Sequence, residues 1–201
     1  MHRKKIIAVT LLLPFIMGGC FGNLFNKQRV EREGMPEELQ TKMENQVVEG
    51  EKKLTEAKDD KAKQDALLEI AFSNEQLGKF DLAIPRYEDL LAVDPNNFQA
   101  LNNLGVIYEE LKDYEKAAGY YGRLLDANQD NTEALEDALR ALILANHLDD
   151  AQSTLEAFAR KQQTDKTMTP EMTKFISDQY QKIMDAKNSA ATPLTSTTDA
   201  K

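Results

Sequence analysis

Hydrophobic residues from Phe98 to Asn131 fall in two sets, each with the spacing of one helix face. Leu101, Leu104, Gly105 and Tyr108 sit at i, i+3, i+4 and i+7, with Val106, Ile107 and Leu111 beside them. After Lys112-Asp113 a second set begins: Tyr114, then Ala117, Tyr121, Leu124 and Leu125, spaced i, i+4, i+7 and i+8 from Ala117. A turn this short between two helices leaves room only for an antiparallel hairpin, and small Gly105 and Ala117 stand where the two backbones have to approach closely.

The pattern recurs every 34 residues. Ala66, Ala100 and Ala134 are in step, as are Leu67, Leu101 and Leu135. On the second helix Ala83, Ala117 and Ala151 align, followed by Tyr87, Tyr121 and Leu155, then Leu90, Leu124 and Phe158. Phe80, Tyr114 and Leu148 mark the turn between the helices. The copies are 64–97, 98–131 and 132–165. A 34-residue helix-turn-helix period carrying Leu-x-x-Leu-Gly-x-x-Tyr and Ala-x-x-x-Tyr resembles the tetratricopeptide repeat. Leu stands at the family's usual Trp position in every copy, and the closing Pro survives only as Pro95, with Gln129 and Gln163 in its place elsewhere. The fold expected is all-α: a right-handed solenoid of three hairpins with a helix before it and a capping helix after it.

The preceding helix is read at 36–58, opened by Pro36-Glu37-Glu38, with Leu39, Met43, Val47, Gly50 and Leu54 along one face. It does not fit the repeat register, because Glu49 falls where the second-helix Ala should be. It either lies on the first repeat or forms a surface for self-association. Lys58 to Lys61 reads as a charged break before the repeats. The segment 166–187 is the expected cap: Thr169-Pro170-Glu171 starts it, and Met172, Phe175, Ile176, Tyr180, Ile183 and Met184 give it an apolar stripe to cover the last hairpin. The stretch 188–201, rich in Ser, Thr, Ala and Pro without periodicity, reads as a disordered tail.

The beginning of the chain has a different character. Arg3-Lys4-Lys5 precedes a weakly polar-to-apolar run from Ile6 to Met17, too short to span a bilayer comfortably. Met17-Gly18-Gly19-Cys20 then resembles the lipobox of bacterial lipoproteins. That resemblance implies a signal peptide over 1–19, lipid on Cys20 by thioether and N-acylation, and a tether over 20–35. Two or more acyl chains anchor stably where one does not. The expected location is the cell envelope, with Phe21 in place of an inner-membrane-retaining Asp favouring the outer membrane. Inner membrane and Gram-positive surface remain open.

Charge and composition narrow the chemistry. Loss of 1–19 removes Arg3, Lys4 and Lys5 from 25 basic residues and none of 34 acidic ones, leaving a net charge of −12. Such a charge repels nucleic acid and anionic lipid. The single Cys, given to lipid, excludes an intramolecular disulfide. With His147 the one remaining His, Cys/His zinc sites and Cys–His nucleophiles are excluded too. Carboxylate pairs such as Glu109-Glu110 and Asp149-Asp150 read as solvated faces. No enzyme, cofactor or metal is expected.

What the family resemblance implies instead is a groove lined by the first helices, holding a peptide or a partner helix. Position by position it presents Asp65, Leu68, Glu69, Phe72 and Glu75 from copy one. Copy two offers Asn102, Asn103, Val106, Glu109 and Glu110, and copy three Glu133, Glu136, Asp137 and Arg140. Co-chaperone members of the family clamp a C-terminal carboxylate with Lys and Asn side chains of copies one and two and with Lys and Arg of copy three. Those places hold Leu68, Phe72, Asn103, Glu133 and Asp137 here, so a carboxylate would be repelled. The expected partner is a neutral or basic protein or peptide with apolar anchors, Asn102 and Asn103 bonding its backbone. The chain resembles repeat lipoproteins that serve as pilotins or as subunits of outer-membrane assembly machines. A docking regulator of cell-wall enzymes and a self-associating spacer are the alternatives.

Overall fold

The computed structural model describes residues 35–191; the expected signal segment, Cys20, most of the expected tether and the last ten residues lie outside them. The described residues form eight helices: α1 (Glu37–Glu56), α2 (Asp60–Gln76), α3 (Phe80–Val93), α4 (Phe98–Glu110), α5 (Tyr114–Ala127), α6 (Thr132–Leu144), α7 (Leu148–Thr164) and α8 (Pro170–Ala191). Each packs on the next in the chain. The even-numbered helices form one layer and the odd-numbered helices the other.

Bonds within each layer show the stacking. In the odd layer Arg86 of α3 reaches Glu51 of α1 at 2.9 Å, and Tyr120 of α5 reaches Glu88 of α3 at 3.4 Å. In the even layer Arg140 of α6 reaches Glu109 of α4, and Lys182 of α8 reaches Glu136 of α6. The three expected hairpins are α2–α3, α4–α5 and α6–α7.

Local chemistry sets the boundaries. Asp59, Asn97 and Asn131 cap α2, α4 and α6, accepting from the backbone N–H of Ala62, Ala100 and Ala134 at 2.8, 3.1 and 3.0 Å. At the hairpin turns Gly78, Lys112 and Asn146 hold the left-handed backbone that lets a helix end and reverse (φ 73°, 60° and 62°), again 34 residues apart.

The residues that carry the period are the core. Ala66, Leu67, Ala83, Tyr87, Leu90, Ala100, Leu101, Leu104, Ala117, Tyr121 and Leu124 are buried in one cluster or at its edge. Leu135, Ala151, Leu155, Phe158 and Ile183 are buried in a second, with Leu125 and Leu142 packed against both. Burial of about 1.5–3 kcal/mol worth of apolar side chain at each large position drives the stacking.

Three expectations change in detail. The break at Lys58–Lys61 is shorter: Asp59 caps α2 one turn before the repeat boundary at 64, so Asp60 and Lys61 are helical. The preceding helix lies on the first repeat, with Gly50 rather than Glu49 at the close approach; a Cβ there would stand 2.7 Å from Ile70 Cγ1. The connection 57–59 is one residue shorter than 94–97 and 128–131. The cap runs on to Ala191, taking in the first residues read as tail. On it Gln179 is buried and Tyr180 turns outward, while Ile183, Met172, Phe175 and Ile176 pack on the last hairpin as expected.

Candidate functional site

The even layer turns one side of α2, α4 and α6 toward α1, α3, α5 and α7 and the other outward. Phe72, Val106 and Arg140 occupy equivalent outward places one repeat apart. Phe72 is 42% exposed, and Val106 is partly buried beside the core. Leu144 at the end of α6 is 51% exposed, and Leu68 is half-buried one turn before Phe72. This face therefore offers apolar points at Phe72 and Val106, one repeat apart, and at Leu144 one turn beyond Arg140.

The acids expected to make it negative are mostly engaged with the chain's own side chains. Glu69 binds Lys53 of α1 at 2.7 Å, and Asp65 pairs with Lys61. Glu75 accepts the Tyr87 hydroxyl at 2.6 Å. Glu109 accepts Nε and Nη2 of Arg140 at 2.9 and 3.1 Å, with the Tyr121 hydroxyl at 3.4 Å. Asp137 takes the remaining arm of Arg140 at 2.6 Å. Glu136 accepts Lys182 at 2.9 Å and Gln179 at 3.4 Å from the cap. Glu133 is exposed at the start of α6, and Glu110 is half-buried.

The asparagine pair is also committed inward. Asn103 is buried; it donates to the Tyr87 hydroxyl at 2.7 Å and accepts from Asn102 at 3.3 Å. It belongs to the contact between the first and second hairpins, so the expectation that Asn103 reaches out to a peptide backbone is corrected. A buried polar group left without a partner costs more than the bond gains, which holds this asparagine in place.

Sequence reasoning missed Tyr87 and Tyr121 as polar members, along with Lys53, Lys182 and Gln179. One signal was available: Glu75/Tyr87 and Glu109/Tyr121 are the same twelve-residue pair one repeat apart. Burial first, then the neighbouring carboxylates, pushes both hydroxyls up, so each stays a neutral donor. For Arg140 burial alone would lower the pKa; Asp137 and Glu109 outweigh it and hold the guanidinium charged.

His147 stands at the start of α7, exposed, with Nε2 3.4 Å from Glu115 and Nδ1 3.3 Å from Asp150. No group of three His, Cys, Asp or Glu side chains is arranged for a metal among the described residues. None of the described helices is long and apolar enough to cross a membrane.

Residues 73–132 match the family model of the tetratricopeptide repeat. Over this stretch the chain is similar to the tetratricopeptide repeat. The stretch runs from the end of α2 through the whole second hairpin, and the same register carries the array to either side. A solved structure, the MamA RS-1 ArsTM double mutant, has a similar fold over 75% of this chain and 88% of the other, at 15% identity and a TM-score of 0.50. Two curated relatives are the uncharacterized ycf37 proteins of Pyropia yezoensis, 40% identical over 65 residues, and Guillardia theta, 36% identical over 67. These matches take in 32% and 33% of this chain. The chain spans little more than a third of the length of these relatives, 36% and 38%. Tetratricopeptide repeats serve as protein-interaction modules, and the matched residues 73–132 lie inside an all-helical array of eight described helices.

Proposed function

We propose that the protein is a membrane-tethered adaptor that receives a protein or peptide partner on the outward face of α2, α4 and α6. The observation that carries this reading is the row Phe72, Val106 and Leu144 on an interaction fold, beside acids already satisfied within the chain. The partner presents apolar side chains to these three points and carries little charge, which narrows the neutral-or-basic expectation toward neutral. Lipid on Cys20 confines this face to a bacterial envelope membrane. Confinement raises the effective concentration of the partner without adding a contact. A secretion, pilus or outer-membrane assembly is the setting that the lipobox and the repeat together favour.

The self-associating spacer is the weaker alternative. The stripe Met43, Val47, Gly50 and Leu54 that would have driven association faces α2, and Val48 is the one large hydrophobic residue of α1 left well exposed. The test is co-purification with Phe72→Glu, Val106→Glu and Cys20→Ala. Partner recovery should fall with each groove variant, and Cys20→Ala should release the protein from membranes with its fold unchanged. Undiminished recovery with both glutamates in a folded protein would contradict the adaptor reading.

A further inference from the structure

The junction between the second and third hairpins is bridged by a charged fork. Arg140 Nε and Nη2 lie 2.9 and 3.1 Å from the two oxygens of Glu109, and Nη1 lies 2.6 Å from Asp137. The fork spans two repeats, because Glu109 comes from α4 and Arg140 with Asp137 from α6. The carboxylates are 11% and 18% exposed, whereas the guanidinium is 35% exposed. The acids thus form the floor and the cation sits above them, open to the outward face. The first junction is built differently: there neutral Asn103 meets Tyr87, and apolar Val106 takes the place that Arg140 has one repeat later.

We propose that Glu109 and Asp137 form a guanidinium-binding site, occupied in this chain by its own Arg140. A planar fork over two carboxylates, with a tyrosine hydroxyl behind them, matches an alkylguanidinium in both shape and charge. While Arg140 sits there the site is closed to a basic side chain of any partner. Arg140 therefore determines specificity: it selects against arginine at the register where Phe72 and Val106 select for apolar groups. This rests on the reading that the outward face of α2, α4 and α6 receives the partner, but the site itself can be tested without one.

The experiment uses ethylguanidinium as the probe and thermal unfolding of Arg140→Ala as the readout. Removing Arg140 leaves two carboxylates together with no cation, so Tm falls. Millimolar ethylguanidinium should restore most of that loss saturably, ethylammonium should restore less, and wild type should not respond. Combining Arg140→Ala with Glu109→Gln should abolish the rescue. If Arg140→Ala does not fold, return of the helical circular-dichroism signal with ethylguanidinium takes the place of Tm. No rescue in either form, or an equal rise in wild type, would overturn the proposal. That result would leave the adaptor reading standing, since co-purification with the Phe72→Glu and Val106→Glu variants tests it separately.

Discussion

The Tyr87 hydroxyl donates to Glu75 at 2.6 Å while accepting from Asn103 of the next hairpin at 2.7 Å. One repeat later Tyr121 lies 3.4 Å from Glu109, which is held by Arg140. The same pair of positions thus joins helix to helix within a repeat and repeat to repeat. Tyr87→Phe strands Asn103 in a buried setting and should cost about 1–3 kcal/mol. Tyr121→Phe, whose bond is long and whose acid has another donor, should cost less. Chemical denaturation of both variants checks the order.

Two glycines on adjacent helices should respond in opposite directions. A Cβ at Gly105 would fall 2.5 Å from Tyr121 Cε1, against a ring that is wholly buried. Gly105→Ala should therefore destabilise by about 1–3 kcal/mol through overpacking. At Gly122 a Cβ meets nothing within 4 Å, so Gly122→Ala should stabilise α5 by roughly 0.5–1 kcal/mol. Thermal unfolding of the pair separates close approach from helix propensity.

Lys112 adopts φ 60° at the place where the first hairpin uses Gly78. Lys112→Gly should raise stability by about 0.5–1 kcal/mol, the strain of a Cβ in the left-handed region less the extra entropy glycine loses. Gly78→Ala should lower it by a similar amount. Equal and opposite Tm shifts would show that these two turns share one geometry.

Acid should loosen the C-terminal end. Lys182 holds the Glu136 carboxyl below its usual range, and Lys187 does the same for Asp149. A carboxylate with a lowered folded pKa stabilises above its unfolded pKa, and that contribution is lost as pH falls through the folded value. Below about pH 4 α8 should therefore gain amide hydrogen exchange before α4 and α5 do. Lys182→Met should return Glu136 toward its ordinary titration and expose α8 at neutral pH.

The hairpins were legible because a helix face repeats at fixed spacing, and Ala66, Leu67, Ala100, Leu101, Ala134 and Leu135 all report the buried side. Periodicity says which face is covered, not which side chain from a neighbouring helix covers it. Arg140 and Glu109 lie 31 residues apart and Lys182 and Glu136 lie 46 apart, so their pairing has no local signature. The groove acids consequently read as free when most are paired. Gly50 was missed as the close-approach residue because the shorter 57–59 connection does not keep the repeat's spacing. Residues 1–34, with the lipobox-like Met17-Gly18-Gly19-Cys20, lie outside the described residues.

Photo-crosslinking in cells tests the central claim most directly, with the crosslinker placed at Phe72, Val106 or Leu144 and, for comparison, at Gly119 on the opposite layer. The account predicts one shared adduct from the three even-layer positions, none from Gly119, and loss of the adduct when Cys20→Ala frees the protein from the membrane. The same adduct from Gly119 at equal yield, with Phe72 and Val106 silent, would contradict it.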